Sequence, residues 1–210
     1  MSYQRWFWIA LFLGMVVLFS WGWFFSDPIV KNYPSQKKGP VVLFGDSLAA
    51  GVGSSTADGG LAGELSKKLN EPVLNFGVSG ETTGQALLRI PEVREMEPRL
   101  VILILGGNDF LRRIDRKVTR ENLTALVTSF QNGGAIVLLL GVRSGIVSGG
   151  SDDLYEEIAK ETGAAYEEDI LKGIFGRTEF MSDAIHPNDA GYTKIAERLL
   201  PKIQDLLGDH

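Results

Sequence analysis

Four short apolar runs constrain this chain most: Val41–Phe44, Val73–Phe76, Val101–Leu105 and Ile136–Leu140. Three are apolar without interruption, and Asn75 breaks the second. A strand with one wet face alternates polar and apolar residues, so unbroken runs belong to strands covered on both faces. Helical periods lie between them. Leu61, Leu65 and Leu69 recur every fourth residue, and Leu123, Leu126, Val127 and Phe130 mark a helix over Asn122–Phe130. Ala86, Leu87, Ile90 and Val93 line a stripe over Thr83–Met96 that Pro91 must kink or restart. Leu154, Ile158 and Ala159 mark a further helix, and Ile195, Leu199, Ile203 and Leu206 a last one over Asp189–Leu207. Ala164–Tyr166 is a candidate fifth strand. Strands alternating with helices predict an α/β domain with a doubly wound parallel sheet.

The amino-terminal part is different. No charge occurs from Trp6 to Ser26, a run of 21 residues with aromatic residues crowded at both ends. That length crosses a hydrocarbon core of about 30 Å as a helix, and the aromatic ends suit its two interfaces. Residues 1–26 are therefore expected to be a retained transmembrane anchor. The competing reading is a cleaved signal peptide, for which the run is long and Ser20-Trp21-Gly22 a poor cleavage site. Arg5 precedes the run and Lys31, Lys37 and Lys38 follow it, so the charges barely orient it. The five-residue tail favours a carboxy-terminal domain outside the cytoplasm. Residues 27–39, with Pro28, Pro34 and Gly39, read as a tether, and residues 40–210 as the domain.

Composition narrows the function. The chain has no cysteine, which removes disulfide scaffolds, thiolate metal sites and cysteine nucleophiles. Its net charge of -5 lacks the basic footprint of a nucleic-acid binder. Of two histidines one is the last residue, so imidazole chemistry falls on His186.

Three strands end in polar clusters: Gly45-Asp46-Ser47-Leu48, Gly77-Val78-Ser79-Gly80-Glu81-Thr82 and Gly106-Gly107-Asn108-Asp109. In a parallel sheet these share the carboxyl edge, where ligands bind. Asp183-Ala184-Ile185-His186-Pro187-Asn188 precedes the last helix and can fold back to that edge. Taken singly, each cluster also reads as a turn or a helix cap. Together they put a serine, amide donors and an Asp-x-x-His pair at one place.

These four blocks, in this order, resemble the SGNH (GDSL) hydrolases over about residues 40–207. Asn75–Thr83 and Leu88–Pro91 are similar to the bacterial thioesterase I, lysophospholipase and arylesterase subgroup. The resemblance implies a three-layer α/β/α flavodoxin-like sandwich and a serine esterase or thioesterase acting on small or medium acyl groups. It implies Ser47 as nucleophile, His186 as general base and then acid, and Asp183 as the carboxylate that orients the imidazole. The implied oxyanion hole is the backbone N–H of Ser47, that of Gly80 and the side-chain amide of Asn108. Asp46 and Asp109 are expected to hold their loops. No cofactor or metal is implied, and the expected partners are an acyl ester or thioester, possibly lipid, and the membrane. The Gly/Ser-rich stretch 141–150 departs from the subgroup where it shapes the acyl pocket. Two other readings stay open: a carbohydrate O-acetyl esterase, disfavoured by the absence of Trp after Gly39, and a non-catalytic flavodoxin-like binding module.

Overall fold

The computed structural model describes residues 29–142 and 154–208. The expected anchor and most of the Gly/Ser-rich stretch lie outside the described residues. Among the described residues no helix is long and apolar enough to cross a membrane.

Five parallel strands form one sheet in the order β2-β1-β3-β4-β5: β1 Val41–Gly45, β2 Val73–Gly77, β3 Leu100–Ile104, β4 Ile136–Leu140 and β5 Ala165–Glu167. β1, β3 and β4 are buried at every residue, as their unbroken apolar runs require. Alternate residues feed two cores. Leu43, Ile102 and Leu138 face Leu61 and Leu65 of α2 (Gly60–Leu69) and Ile195 and Leu199 of α8 (Asp189–Leu207). Phe44, Leu103 and Val137 face Leu126 and Phe130 of α6 (Arg116–Asn132) and Ile158 of α7 (Leu154–Thr162). The result is three layers, α/β/α, with the strand order of a flavodoxin-like sheet.

Short helices fill the turns: α1 Ser47–Ala50, α3 Thr83–Ala86, α4 Ile90–Arg94 and α5 Gly107–Leu111. The Thr83–Met96 stripe is broken, with a 3-10 turn at Leu87–Arg89 and a restart that places Pro91 in the first turn of α4. There proline loses no helical hydrogen bond. α6 starts six residues before the apolar period does. Its first turns carry no apolar stripe and are capped by Asp115, whose carboxylate accepts the Lys117 N–H at 2.8 Å.

Residues 29–40 do not hang free of the domain. The Lys31 N–H donates to the Gly163 carbonyl at 2.8 Å, just before β5. The Asn32 amide donates to the carbonyls of Gln131, in the last turn of α6, and Ala135, just before β4, both at 2.8 Å. The Arg99 N–H donates to the Pro40 carbonyl, just before β3. This strap therefore runs along the amino edge of the sheet, opposite the polar clusters.

Ile102 is fully buried at the centre of the sheet. Replacing it by Ala is expected to cost about 2–5 kcal/mol. Urea unfolding should show a lower midpoint at unchanged m-value; a loss well under 1 kcal/mol would contradict this packing.

Candidate active site

The carboxyl edge gathers the four clusters. Ser47 is the first residue of α1, which begins as β1 ends. Asp46 caps that helix by accepting the Leu48 N–H at 3.0 Å. Helix and sheet edge can touch because of two glycines: a Cβ on Gly45 would meet the Ile104 carbonyl, and one on Gly77 the Ala50 N–H.

Ser47 Oγ lies 3.0 Å from His186 Nε2. His186 Nδ1 lies 2.8 Å from Asp183 Oδ2. The other oxygen of Asp183 accepts the N–H groups of Ile185 and His186, each at 2.8 Å. One carboxylate thus fixes both the ring and the backbone that carries it. A carboxylate on Nδ1 selects the tautomer with its proton there, leaving Nε2 to accept the Ser47 hydroxyl.

The loop bearing His186 is a narrow hairpin tied to the serine side. The His186 carbonyl accepts the Ser182 N–H at 2.9 Å, and Met181 bridges Pro187. Asn188 caps α8 by accepting the Gly191 N–H. Asp189 accepts the Ser54 hydroxyl at 2.7 Å and the Ser55 N–H at 3.0 Å. The Ser55 side chain first, then the Ser54 hydroxyl and the Ser55 N–H, hold its carboxyl down to about 2. The Tyr192 hydroxyl donates to the Val52 carbonyl at 2.7 Å. Asp189 and Tyr192 thus join the His186 side to the loop that follows Ser47. In the sequence Asp189 reads only as a candidate cap, and no pattern there singles out Tyr192.

Asn108 lies in α5, whose N-cap residue Gly106 has φ 110°, a conformation that suits glycine. A Cβ there would sit 2.5 Å from the Tyr155 hydroxyl, which donates to the Leu105 carbonyl. The Asn108 amide donates to the Glu81 carbonyl at 3.0 Å and lies 3.5 Å from Asp46 Oδ2. Asp109 accepts the N–H and hydroxyl of Thr83, tying the third cluster to the second. Gly80, at φ 77°, directs its carbonyl to Arg112, which donates at 2.7 Å. The Glu81 carboxylate, 5% exposed, is gripped by Arg89, whose guanidinium lies 4.5 Å from the Phe44 ring centre. Sequence patterns gave no sign of this pair, because its partners are eight residues apart across a broken helix.

Ser47, Asn108 and His186 line one open cleft of about 30 Å3, flanked by Leu48, Leu111, Val142 and Ile185. Asp183 reaches it through His186. Gly80 is not among its lining residues and joins it through the Glu81 carbonyl on Asn108. Among the described residues no group of three or more His, Asp or Glu could hold a metal ion.

Residues 43–194 match the GDSL-like Lipase/Acylhydrolase family. The chain belongs to that family. It is 31% identical to Esterase TesA of Pseudomonas aeruginosa, covering 80% of this chain and 89% of the relative. It is 27% identical to the thioesterase 1/protease 1/lysophospholipase L1 of Escherichia coli strain K12, covering 90% and 95%. A crystal structure of TesA superposes with a TM-score of 0.74 at 30% identity, covering 80% of this chain and 99% of that one. The protein is an ester-bond hydrolase of the esterase, thioesterase and arylesterase type.

Within this hydrolase the site's two nearby carboxyls differ sharply. Asp183, half exposed, is held down to about 2, first by the His186 ring N–H and then by the Ile185 backbone N–H. Asp46, 3% exposed, is pushed up to about 7. Burial dominates there; the Leu48 N–H and the His186 charge oppose it, and Glu81 and Asp109 reinforce it.

Between 3.8 and about 7 the folded protein binds a proton at Asp46 that the unfolded chain has released. Its contribution to stability is therefore fully present below 3.8 and is lost as pH rises through about 7. Asp46→Asn is expected to remove this loss, so its stability relative to the parent should rise between about pH 4 and about pH 8, by on the order of a few kcal/mol. Parallel stability–pH curves for the two proteins would refute the burial effect.

Proposed function

We propose that this hydrolase cleaves carboxylic esters and thioesters of small or medium acyl groups through an acyl-enzyme on Ser47. The observation that carries the reading is the continuous contact from Ser47 Oγ to His186 Nε2 and from His186 Nδ1 to Asp183, opening on a cleft. Ser47 Oγ attacks the acyl carbon as its proton passes to His186 Nε2. The imidazolium so formed faces the Asp183 carboxylate. It returns the proton to the leaving alkoxide or thiolate, and the acyl group stays on Ser47. Water then attacks the acyl-enzyme, with His186 again as base, and releases the acid.

The developing oxyanion needs donors already in place. In this reading they are the N–H of Ser47, the N–H of Gly80 and the Asn108 amide. Asn108 has two amide hydrogens; the Glu81 carbonyl holds one at 3.0 Å, and the other, on the long 3.5 Å contact to Asp46 Oδ2, is the one the oxyanion would take. Leu48, Leu111, Val142 and Ile185 around the cleft favour an acyl chain over a sugar. We further propose that residues 6–26 anchor the enzyme in a membrane with the catalytic domain outside the cytoplasm, as their uncharged, aromatic-flanked run suggests.

Nitrophenyl esters from acetyl to long acyl chains test this. Ser47→Ala is expected to lower kcat by several orders of magnitude, with a remnant from binding and the oxyanion donors. Asn108→Ala is expected to lower kcat roughly 10²- to 10³-fold. Turnover that survives Ser47→Ala would end the serine mechanism. A sharp preference for acetyl would move the reading to an O-acetyl esterase.

A further inference from the structure

The strap at the amino edge bears on which way the cleft points, an inference that rests on the reading of residues 6–26 as a membrane anchor. Among the described residues Lys31 is the first with a backbone bond to the domain, at the carbonyl of Gly163 before β5. Val30 is already packed against the core that faces α2 and α8. Ser26, the last residue of the uncharged run, is therefore five residues from a fixed point. Five residues span at most about 18 Å even when fully extended.

The domain is larger than this reach. A unit of this length has a radius of gyration of about 16 Å and is about 40 Å across. Ser47, His186 and Asn108 sit at the carboxyl edge of the sheet; the strap's bonds to Gly163, Gln131, Ala135 and Arg99 all lie at the amino edge. So short a tether cannot pass around the domain to bring the cleft down onto the bilayer.

The strap itself suits a headgroup layer. Ile29 is 90% exposed and Tyr33 43% exposed, with exposed Lys31 and Lys38 beside them. An apolar side chain, a tyrosine and lysines are the residue types that settle at a membrane interface.

We propose that the enzyme rests with the amino edge of its sheet against the bilayer that anchors it, and its cleft directed away into the aqueous phase. Its substrates are then esters dissolved in that phase or displayed on a surface facing the membrane, not lipids of its own bilayer. The exposed apolar residues beside the site, Val78, Phe110 and Leu111, contact substrate rather than the anchoring membrane.

The absence of cysteine makes the test direct. Glu95→Cys places a fluorophore at the amino edge, in the exposed turn before β3, and Ala57→Cys places one on the exposed loop that follows α1 at the cleft edge. Neither residue belongs to the site, so both full-length proteins should keep normal turnover of a soluble nitrophenyl ester. Each is reconstituted into phosphatidylcholine vesicles doped with a headgroup energy acceptor. Transfer from position 95 is expected to exceed that from position 57 by at least about twofold, given a domain about 40 Å across. Equal or reversed transfer in protein that floats with the vesicles overturns the orientation and leaves the anchor standing. Full-length protein that stays behind when the vesicles float removes the anchor, and the orientation with it.

Discussion

β1 lies hydrogen-bonded between β2 and β3 in parallel register, so that Gly45, Gly77 and Ile104 stand side by side at one edge. The site depends on this alignment. Each strand ends where the next polar cluster begins, and three clusters remote in sequence become neighbours without any long loop. The alignment also sets which side chains fit. α1 can begin two residues after β1 only because Gly45 and Gly77 leave room for it. A bulkier residue at either position would push Ser47 away from the edge and open its 3.0 Å contact with His186.

His186 comes to that edge by another route. Its loop follows β5 and is held by the start of α8 rather than by a strand end. Asn188 caps the helix, Asp189 binds Ser54 and Ser55, and Tyr192 binds the Val52 carbonyl. All three fall within the first turn or so of a 19-residue helix whose apolar face is buried against the sheet. The rigid helix therefore carries the imidazole, and short polar bonds set its last ångströms against the serine.

Much of this was legible in the sequence, for physical reasons that differ by element. Unbroken apolar runs announce strands covered on both faces, and the resemblance of the four blocks pointed to Ser47, Asn108, Asp183 and His186, which the fold gathers, and to Gly80, which does not line the cleft. β5 is only three residues long, at the sheet's edge, and too short for a period to mark it firmly. α6 extends six residues beyond its apolar stripe because Asp115 caps it and Thr119 turns inward toward Asp109 at 3.4 Å, neither of which hydrophobic patterning detects. Residues 27–39 have turn-like composition and read as a tether, yet Asn32 binds two carbonyls from the far side of the chain. A single side-chain amide meeting carbonyls at the end of α6 and just before β4 leaves no mark in a local window. The Glu81–Arg89 pair is likewise invisible until Phe44 supplies the ring beneath the guanidinium.

The two acids of the site show how burial divides labour between like groups. Asp183 keeps its charge because three N–H donors converge on it, and in the proposed mechanism that charge offsets the imidazolium 2.8 Å away. Asp46 immediately precedes Ser47 in the chain, but burial opposes its ionisation. Its Oδ2 lies 3.5 Å from the Asn108 amide, the donor assigned to the oxyanion. A full negative charge held there would repel the oxyanion and compete with it for Asn108. Burial that favours the neutral acid weakens that competition, while the Leu48 N–H keeps the other oxygen in place as a helix cap. In the proposed mechanism burial thus opposes a charge on Asp46, on the side where negative charge would develop, and Asp183 holds its charge on the side where positive charge would develop.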